Sequence, residues 1–253
     1  MADTVSALGR LVPVATRAEA PRHSTIVRVT HWITALCFLA LLVSGLEIVI
    51  SHPRFYWGEN GNVLTPPVFS LPIPASRATV PTGYGYVLPD QNGWSRYLHF
   101  EAGWVLVLTG LLYVIAGLFS GHLRNQLLPD AAGRSWQSFS GAFADHVRFK
   151  PPVDADAWSY NLIQRLTYLA VIFGLFPLAI WTGLAMSPAI ESAIPFVVTV
   201  CGGRQSARTL HFFVSVALAV FLLVHVAMIW RAGFTSRVMA MVTGRAAPAG
   251  EPE

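Results

Sequence analysis

His211 and His225 lie fourteen residues apart on one uninterrupted apolar stretch, residues 210–230. Fourteen residues is almost four helical turns, so both imidazoles leave nearly the same face, about 21 Å apart along the axis. Two more histidines, His31 and His99, open other apolar stretches. A neutral imidazole is the commonest metal ligand and a ready proton carrier. A helix carrying one near each end can hold two metal centres, one above the other. The separation is most of the thickness of a bilayer's hydrocarbon core, roughly 30 Å.

The elements that position these side chains follow from composition. Of 253 residues 54% are hydrophobic and only 12% charged, half the charged share of an average soluble domain, about 25%. Four segments are long and apolar enough to span: residues 30–50, 98–119, 166–187 and 210–230. Apart from Glu47 and Glu101 near span ends, their only ionisable residues are histidines. The expected architecture is an all-α membrane protein, a four-transmembrane-helix bundle forming one membrane domain over residues 30–231 that carries the four histidines. Residues 1–29 and 232–253 form tails. The first 29 residues hold Arg10, Arg17, Arg22 and Arg28 and no continuous apolar run, which reads as a tail that stays on its own side. Twelve basic residues fall on the side of the tails and the second connection. Five (Arg54, Arg77, Arg96, Arg204 and Arg208) fall on the other. Both termini are therefore expected in the cytoplasm. The positive charge is an orientation signal and gives no reason to invoke nucleic acid. Cys37, inside the first span, and Cys201, before the last, are too far apart for a disulfide and too few for a zinc cluster.

The connections differ in character. The first external loop, residues 51–95, is dense in proline and aromatics, among them Pro66, Pro67, Tyr84 and Tyr86. Such proline density excludes a long helix or a central strand. The exposed aromatics suit packing on a partner protein or on membrane lipid. The second connection has a helix-compatible piece at 135–147. The last, residues 188–207, reads as a short loop with Gly202-Gly203, and Pro177 is expected to kink the third span.

Three spans open with the same pattern: Arg28-x-x-His31, Arg96-x-x-His99 and Arg208-x-x-His211. The third opens with Arg165-x-x-Tyr168. Residues three apart share a helix face, so each arginine stands one turn nearer water than its histidine. Haem has the same polarity, an iron for imidazole and two propionates reaching for the surface, where arginine holds carboxylates best. Snorkelling explains any single arginine, and a lone histidine is as often a packed core residue. Four histidines at matched depths are another matter, because intramembrane ionisable groups are costly and usually functional. With the N-terminus inside, only His31 with His225 and His99 with His211 share a depth. Each pair gives a six-coordinate site, suited to passing electrons. Gly103, Gly110 and Gly117 repeat every seven residues below His99 and would let a helix or a flat macrocycle approach. His52, His122, His23 and His146 read as surface residues, the first two with an outside role in proton exchange.

Arg28-x-x-His31-Trp32, His99 and the His211-x13-His225 pair resemble the four-helix di-haem b-type cytochrome superfamily over about residues 25–235. That superfamily includes bacterial cytochrome b561 and the membrane cytochrome b subunits of formate dehydrogenase, Ni-Fe hydrogenase and thiosulfate reductase. The resemblance implies two b-type haems, the same ligand pairing, an inner-membrane location and exchange of electrons with membrane quinone near His31 and His225. The long external loop is similar to relatives that accompany a molybdenum enzyme outside the membrane. The expected function is electron transfer between a periplasmic redox partner, a molybdopterin oxidoreductase docked on residues 51–95, and quinone. The chain would be a carrier, with catalysis in the complex. Two alternatives stand beside it. One is a stand-alone quinone-linked oxidoreductase taking electrons from superoxide drawn to Arg77, Arg96, Arg204 and Arg208. The other is a haem-free transporter or assembly factor with a histidine proton relay.

Overall fold

The computed structural model of this chain describes residues 23–62, 64–73, 91–123, 128, 140 and 162–244. Apart from Ser140, the helix-compatible piece at 135–147, with His146, lies outside the described residues, as do Arg77, Tyr84 and Tyr86. The spanning helices are α1 (Thr25–Ser51), α2 (Gln91–Phe119) and α7 (Arg204–Arg231). The third span is α3 (Leu162–Ala170), a π-helical turn (Val171–Leu175) and α4 (Phe176–Ala185). All four are long and apolar enough to cross a membrane, and together they form a helical membrane bundle.

The helices begin about one to two turns earlier than the apolar runs suggest. Ser24 caps α1, its hydroxyl accepting from the Val27 N–H at 3.5 Å, and the polar first turn stays helical in the interfacial zone. Arg28, Arg96 and Arg208 are therefore helical residues, each one turn before its histidine. Pro53 ends α1, since the residue before a proline avoids the α region. Within the third span Pro177 cannot donate to the carbonyl four residues back, and its ring crowds that carbonyl. The chain answers with the π-helical turn just ahead of it, which widens the ladder by one residue. So the expected kink takes the form of a register change: Ala170, Leu175 and Phe176, at its junctions, all keep right-handed helical angles.

The last connection is more ordered than a plain loop. It contains α5 (Pro188–Ala193) and α6 (Phe196–Val200), packed through Val197, Val198 and Cys201 against Ala185 and Ala207. After α7 the chain turns into α8 (Phe234–Thr243). Among the described residues the first loop carries one short antiparallel pair, β1 (Arg54–Phe55) with β2 (Phe69–Ser70), in which Phe55 faces Phe69. Proline confines that pairing to two residues a side.

Large apolar side chains such as Leu36, Leu39, Val43 and Leu46 on α1 and Leu108, Leu111 and Ile115 on α2 are exposed. A soluble protein rarely presents so long a stripe, whereas acyl chains cover it without cost. Trp32 and Trp230 stand at one end of the bundle and Trp57 and Trp94 at the other, as an aromatic belt requires. Inside, Cys37 packs with Ala102 and Leu106, and Val171 with Val214 and Leu218. Phe176 touches both clusters, meeting Phe38 edge-on at 6.4 Å between ring centres. Both cysteines are free and buried, in different clusters.

Candidate functional site

The bundle brings the four span histidines together as two pairs, one at each end. His31 of α1 faces His225 of α7 with ring centres 6.4 Å apart and planes at 49°. His99 of α2 faces His211 of α7 at 6.2 Å and 67°. Two imidazoles on one metal put their ring centres roughly 6 Å apart, from a bond of about 2 Å and about 1 Å from nitrogen to ring centre on each side. Along α7 the two levels are about 21 Å apart, with Leu218 midway and Phe38 and Phe176 packed beside it.

At the His99 end the hydrogen bonds choose the tautomer. The Thr182 hydroxyl donates its only proton to the Leu178 carbonyl at 2.7 Å, so towards His211 Nδ1, 3.0 Å away, it accepts. The Ala179 carbonyl, also 3.0 Å from that nitrogen, can only accept. Nδ1 therefore carries the proton and Nε2 keeps a bare lone pair. His99 repeats the arrangement. Ser44 donates to the Ala40 carbonyl at 2.7 Å and accepts from His99 Nδ1 at 3.0 Å. Two imidazoles so fixed suit a haem iron: both offer the nitrogen a metal needs.

Ser44 and Thr182 were not singled out from sequence, yet a signal existed. Ser44-Gly45-Leu46 in the first span matches Thr182-Gly183-Leu184 in the third. The first triplet starts sixteen residues after Arg28 and the second seventeen after Arg165, and the π-helical turn absorbs the extra residue. The glycines matter too. A Cβ on Gly45 would stand 3.5 Å from His99 Cε1, and one on Gly183 3.5 Å from His211 Cε1.

The His31 end is built differently. His31 Nδ1 is buried and has no hydrogen-bond partner among the described residues. Its ring meets Trp32 edge-on at 5.4 Å. His225 lies against Phe221 at 5.6 Å and edge-on to Tyr168 at 6.5 Å, so the tyrosine of Arg165-x-x-Tyr168 stands beside this pair.

The arginines of the repeated motif have other partners than expected. Arg28 donates to the Val242 carbonyl at 2.7 Å and to Thr25 Oγ1 at 3.2 Å. Arg208 donates to the carbonyls of His52 at 2.6 Å and Arg54 at 2.8 Å, with its guanidinium 5.2 Å from the Phe55 ring centre. Arg204 pairs with Glu191, and Arg96 is exposed. Of the arginines an attracted anion would need, Arg204 and Arg208 are thus already engaged. A Cβ on Gly103 or Gly110 would meet nothing within 4 Å, so both border open space. Gly117 does not extend that stripe: a Cβ there would press on Leu123 at 2.9 Å, so this glycine serves the turn after α2. His122 sits in that turn, edge-on to Tyr113 at 6.1 Å, and burial pushes its pKa down. The His52 backbone caps α1, and His23 precedes its N-cap.

The first loop is clamped over the start of α7. The Gly58 carbonyl accepts from the N–H groups of Gln205 and Ser206 at 2.9 and 3.2 Å, and the Gly58 N–H donates to Ser206 Oγ at 2.7 Å. Thr209, two residues before His211, donates to the Tyr56 carbonyl at 2.7 Å. Phe55 stacks on Phe69 at 4.6 Å and leans on Phe212 at 4.5 Å. These contacts satisfy N–H groups that a helix start leaves open and fix the loop above the His99–His211 pair.

A family model described as prokaryotic cytochrome b561 matches residues 22–244. A curated relative, the putative protein-methionine-sulfoxide reductase subunit YedZ1 of Azospira oryzae, is 29% identical over 222 residues, covering 88% of this chain and 96% of its own. No solved structure matches.

Proposed function

The chain belongs to the prokaryotic cytochrome b561 family, and from that premise we propose that it carries two b-type haems in series, one between His31 and His225 and one between His99 and His211. The family makes it a membrane electron-transfer protein with b-type haem. The observation that carries the finer reading is the matched pair of imidazole separations, 6.4 and 6.2 Å, at opposite ends of one helix. Bound haem supplies reversible one-electron iron chemistry. The chain's own residues do the rest: His99 and His211 present Nε2 from a fixed tautomer, Gly45 and Gly183 keep the flank of each ring clear, and the apolar layer of Phe38, Phe176 and Leu218 excludes water between the levels. Arg96 remains our choice for a propionate, together with Arg28 through its buried Nε, which has no hydrogen-bond partner among the described residues. Gly103 and Gly110 would lie along a macrocycle. Arg208, engaged by the loop, serves the docking surface instead.

We place both termini in the cytoplasm and the clamped loop in the periplasm of a bacterial inner membrane. There the loop docks a redox subunit, in our reading a molybdopterin oxidoreductase, and quinone exchanges electrons at the His31 end. The named role of the relative, a subunit of a protein-methionine-sulfoxide reductase, and the rigid fixing of loop residues 52–59 above His211 support this. Catalysis then belongs to the complex and the chain is its membrane carrier. The test is a reduced-minus-oxidised spectrum with haem measured per purified chain. Two b haems are expected; a folded, colourless preparation would return the histidines to a proton relay.

A further inference from the structure

The two histidine pairs differ in one respect that burial and ring spacing do not share. At the His99 end each imidazole Nδ1–H faces a hydroxyl that accepts: Ser44 Oγ at 3.0 Å from His99, and Thr182 Oγ1 at 3.0 Å from His211, where the Ala179 carbonyl is a second acceptor at 3.0 Å. Each hydroxyl has already donated along its own helix, Ser44 to Ala40 and Thr182 to Leu178, so neither can turn round and donate to the ring. At the other end His31 Nδ1 has no such partner among the described residues, and the rings lie against Trp32, Phe221 and Tyr168.

An N–H that donates to lone pairs loads negative charge onto its ring, and the opposite nitrogen becomes a stronger electron donor. Stronger donation favours the more highly charged iron, so the ferric state gains over the ferrous and the reduction potential falls. Resting on the two-haem reading above, we propose that Ser44 and Thr182 are positioning residues that set the potential of the haem held by His99 and His211 below that of the haem held by His31 and His225. The more strongly reducing centre then stands directly beneath the clamped loop. When bound, that haem would go from ferrous to ferric as it passes one electron to the haem held by His31 and His225 or to a docked redox subunit, which is reduced by one electron, with no bond made or broken. The serine–glycine and threonine–glycine pairs are one device used twice: the hydroxyl accepts a hydrogen bond from Nδ1–H and the glycine leaves the space beside the ring open.

The experiment is a spectroelectrochemical titration of purified full-length protein, with haem counted per chain. A His211→Ala preparation assigns the two midpoints by losing the lower one. Ser44→Ala and Thr182→Ala should each shift the lower midpoint upwards and leave the upper one in place. Ser44→Thr and Thr182→Ser, which keep the acceptor, should restore the original value, an outcome that a mere packing role would not produce. Thr182→Val keeps the branched shape without the acceptor and serves if alanine costs the haem. A midpoint that stays put in Thr182→Val, moves downwards, or moves in the other haem overturns the proposal. One haem per wild-type chain overturns the reading beneath it, which the count reveals independently of any potential.

Discussion

Arg28 donates to the Val242 carbonyl at 2.7 Å, which ties the first turn of α1 to the last turn of α8. Trp32, one turn further on, adds a bond from its indole N–H to the Met241 carbonyl at 3.2 Å. The last carbonyls of a helix lack partners within it, and a guanidinium there also suits the helix dipole. Hydrogen bonds to a charged group are worth about 1.5–3 kcal/mol each. Arg28→Ala should therefore speed amide exchange over residues 238–244 by about tenfold or more. Equal exchange in wild type and variant would remove the latch.

At the opposite end Gly203 decides how closely the first loop can sit. Its φ of +111° is open to glycine and rarely to other residues, and an added Cβ would lie 2.5 Å from the Gly58 carbonyl carbon. Gly203→Ala should displace the loop at a cost of at least about 1–3 kcal/mol from backbone strain alone. The expected readout is new protease cleavage within residues 52–62. Gly202→Ala is the control for strain without the clash: its φ is also positive and carries a similar backbone cost, but its Cβ would meet Ser206 at an ordinary 3.6 Å and not the Gly58 backbone, so its loop should stay protected.

Arg208 is the second clamp on that loop. Arg208→Ala removes donors from the carbonyls of His52 and Arg54 and the contact with Phe55, and should release the same segment without loss of either haem. Co-purification of a docked redox subunit should fall with it; a variant whose loop becomes protease-sensitive yet keeps its partner would detach docking from this surface.

That the four span histidines would face one another as two pairs was legible because helix periodicity and the membrane's fixed thickness turn sequence spacing into depth. His211 and His225 needed no more than that. What spacing could not supply was sideways contact. Arg208 sits one turn before His211 just as Arg28 does before His31, yet its guanidinium is taken by carbonyls from a loop some 150 residues earlier in the chain. No local rule sees that. The π-helical turn before Pro177 was hidden for a similar reason, since a proline announces strain and not how the ladder relieves it. Ser44 and Thr182 were readable in principle as a repeated triplet, but a serine or threonine in an apolar span usually just bonds back along its own helix. Both do so here, and it is the second lone pair that serves the imidazole.

Gly183 offers a graded test of the ring's close seat. A Cβ would stand 3.5 Å from His211 Cε1, an ordinary contact, so Gly183→Ala should keep both haems and a near-normal spectrum. Leucine adds three carbons beyond a Cβ whose neighbours within 4 Å are His211 Cε1 and Nδ1, so it crowds the ring. Gly183→Leu should lose the haem at the His99 end alone. Two intact haems in the leucine variant would mean that the glycine does not border a fixed imidazole.

The ligand pairs themselves are best tested by non-additivity, because two residues serving one iron behave as a unit. His31→Ala, His225→Ala and the double substitution should each leave one haem per chain, with the same spectrum and the same remaining midpoint. His99→Ala with His225→Ala crosses the pairs and should leave none, although it also removes only two imidazoles. The comparison separates depth pairing from simple loss of histidine count, since both double variants keep two of four ligands. If the crossed variant retained a haem while the His31–His225 variant lost both, the imidazoles would be shared between levels and the 6.4 and 6.2 Å separations would not mark iron sites.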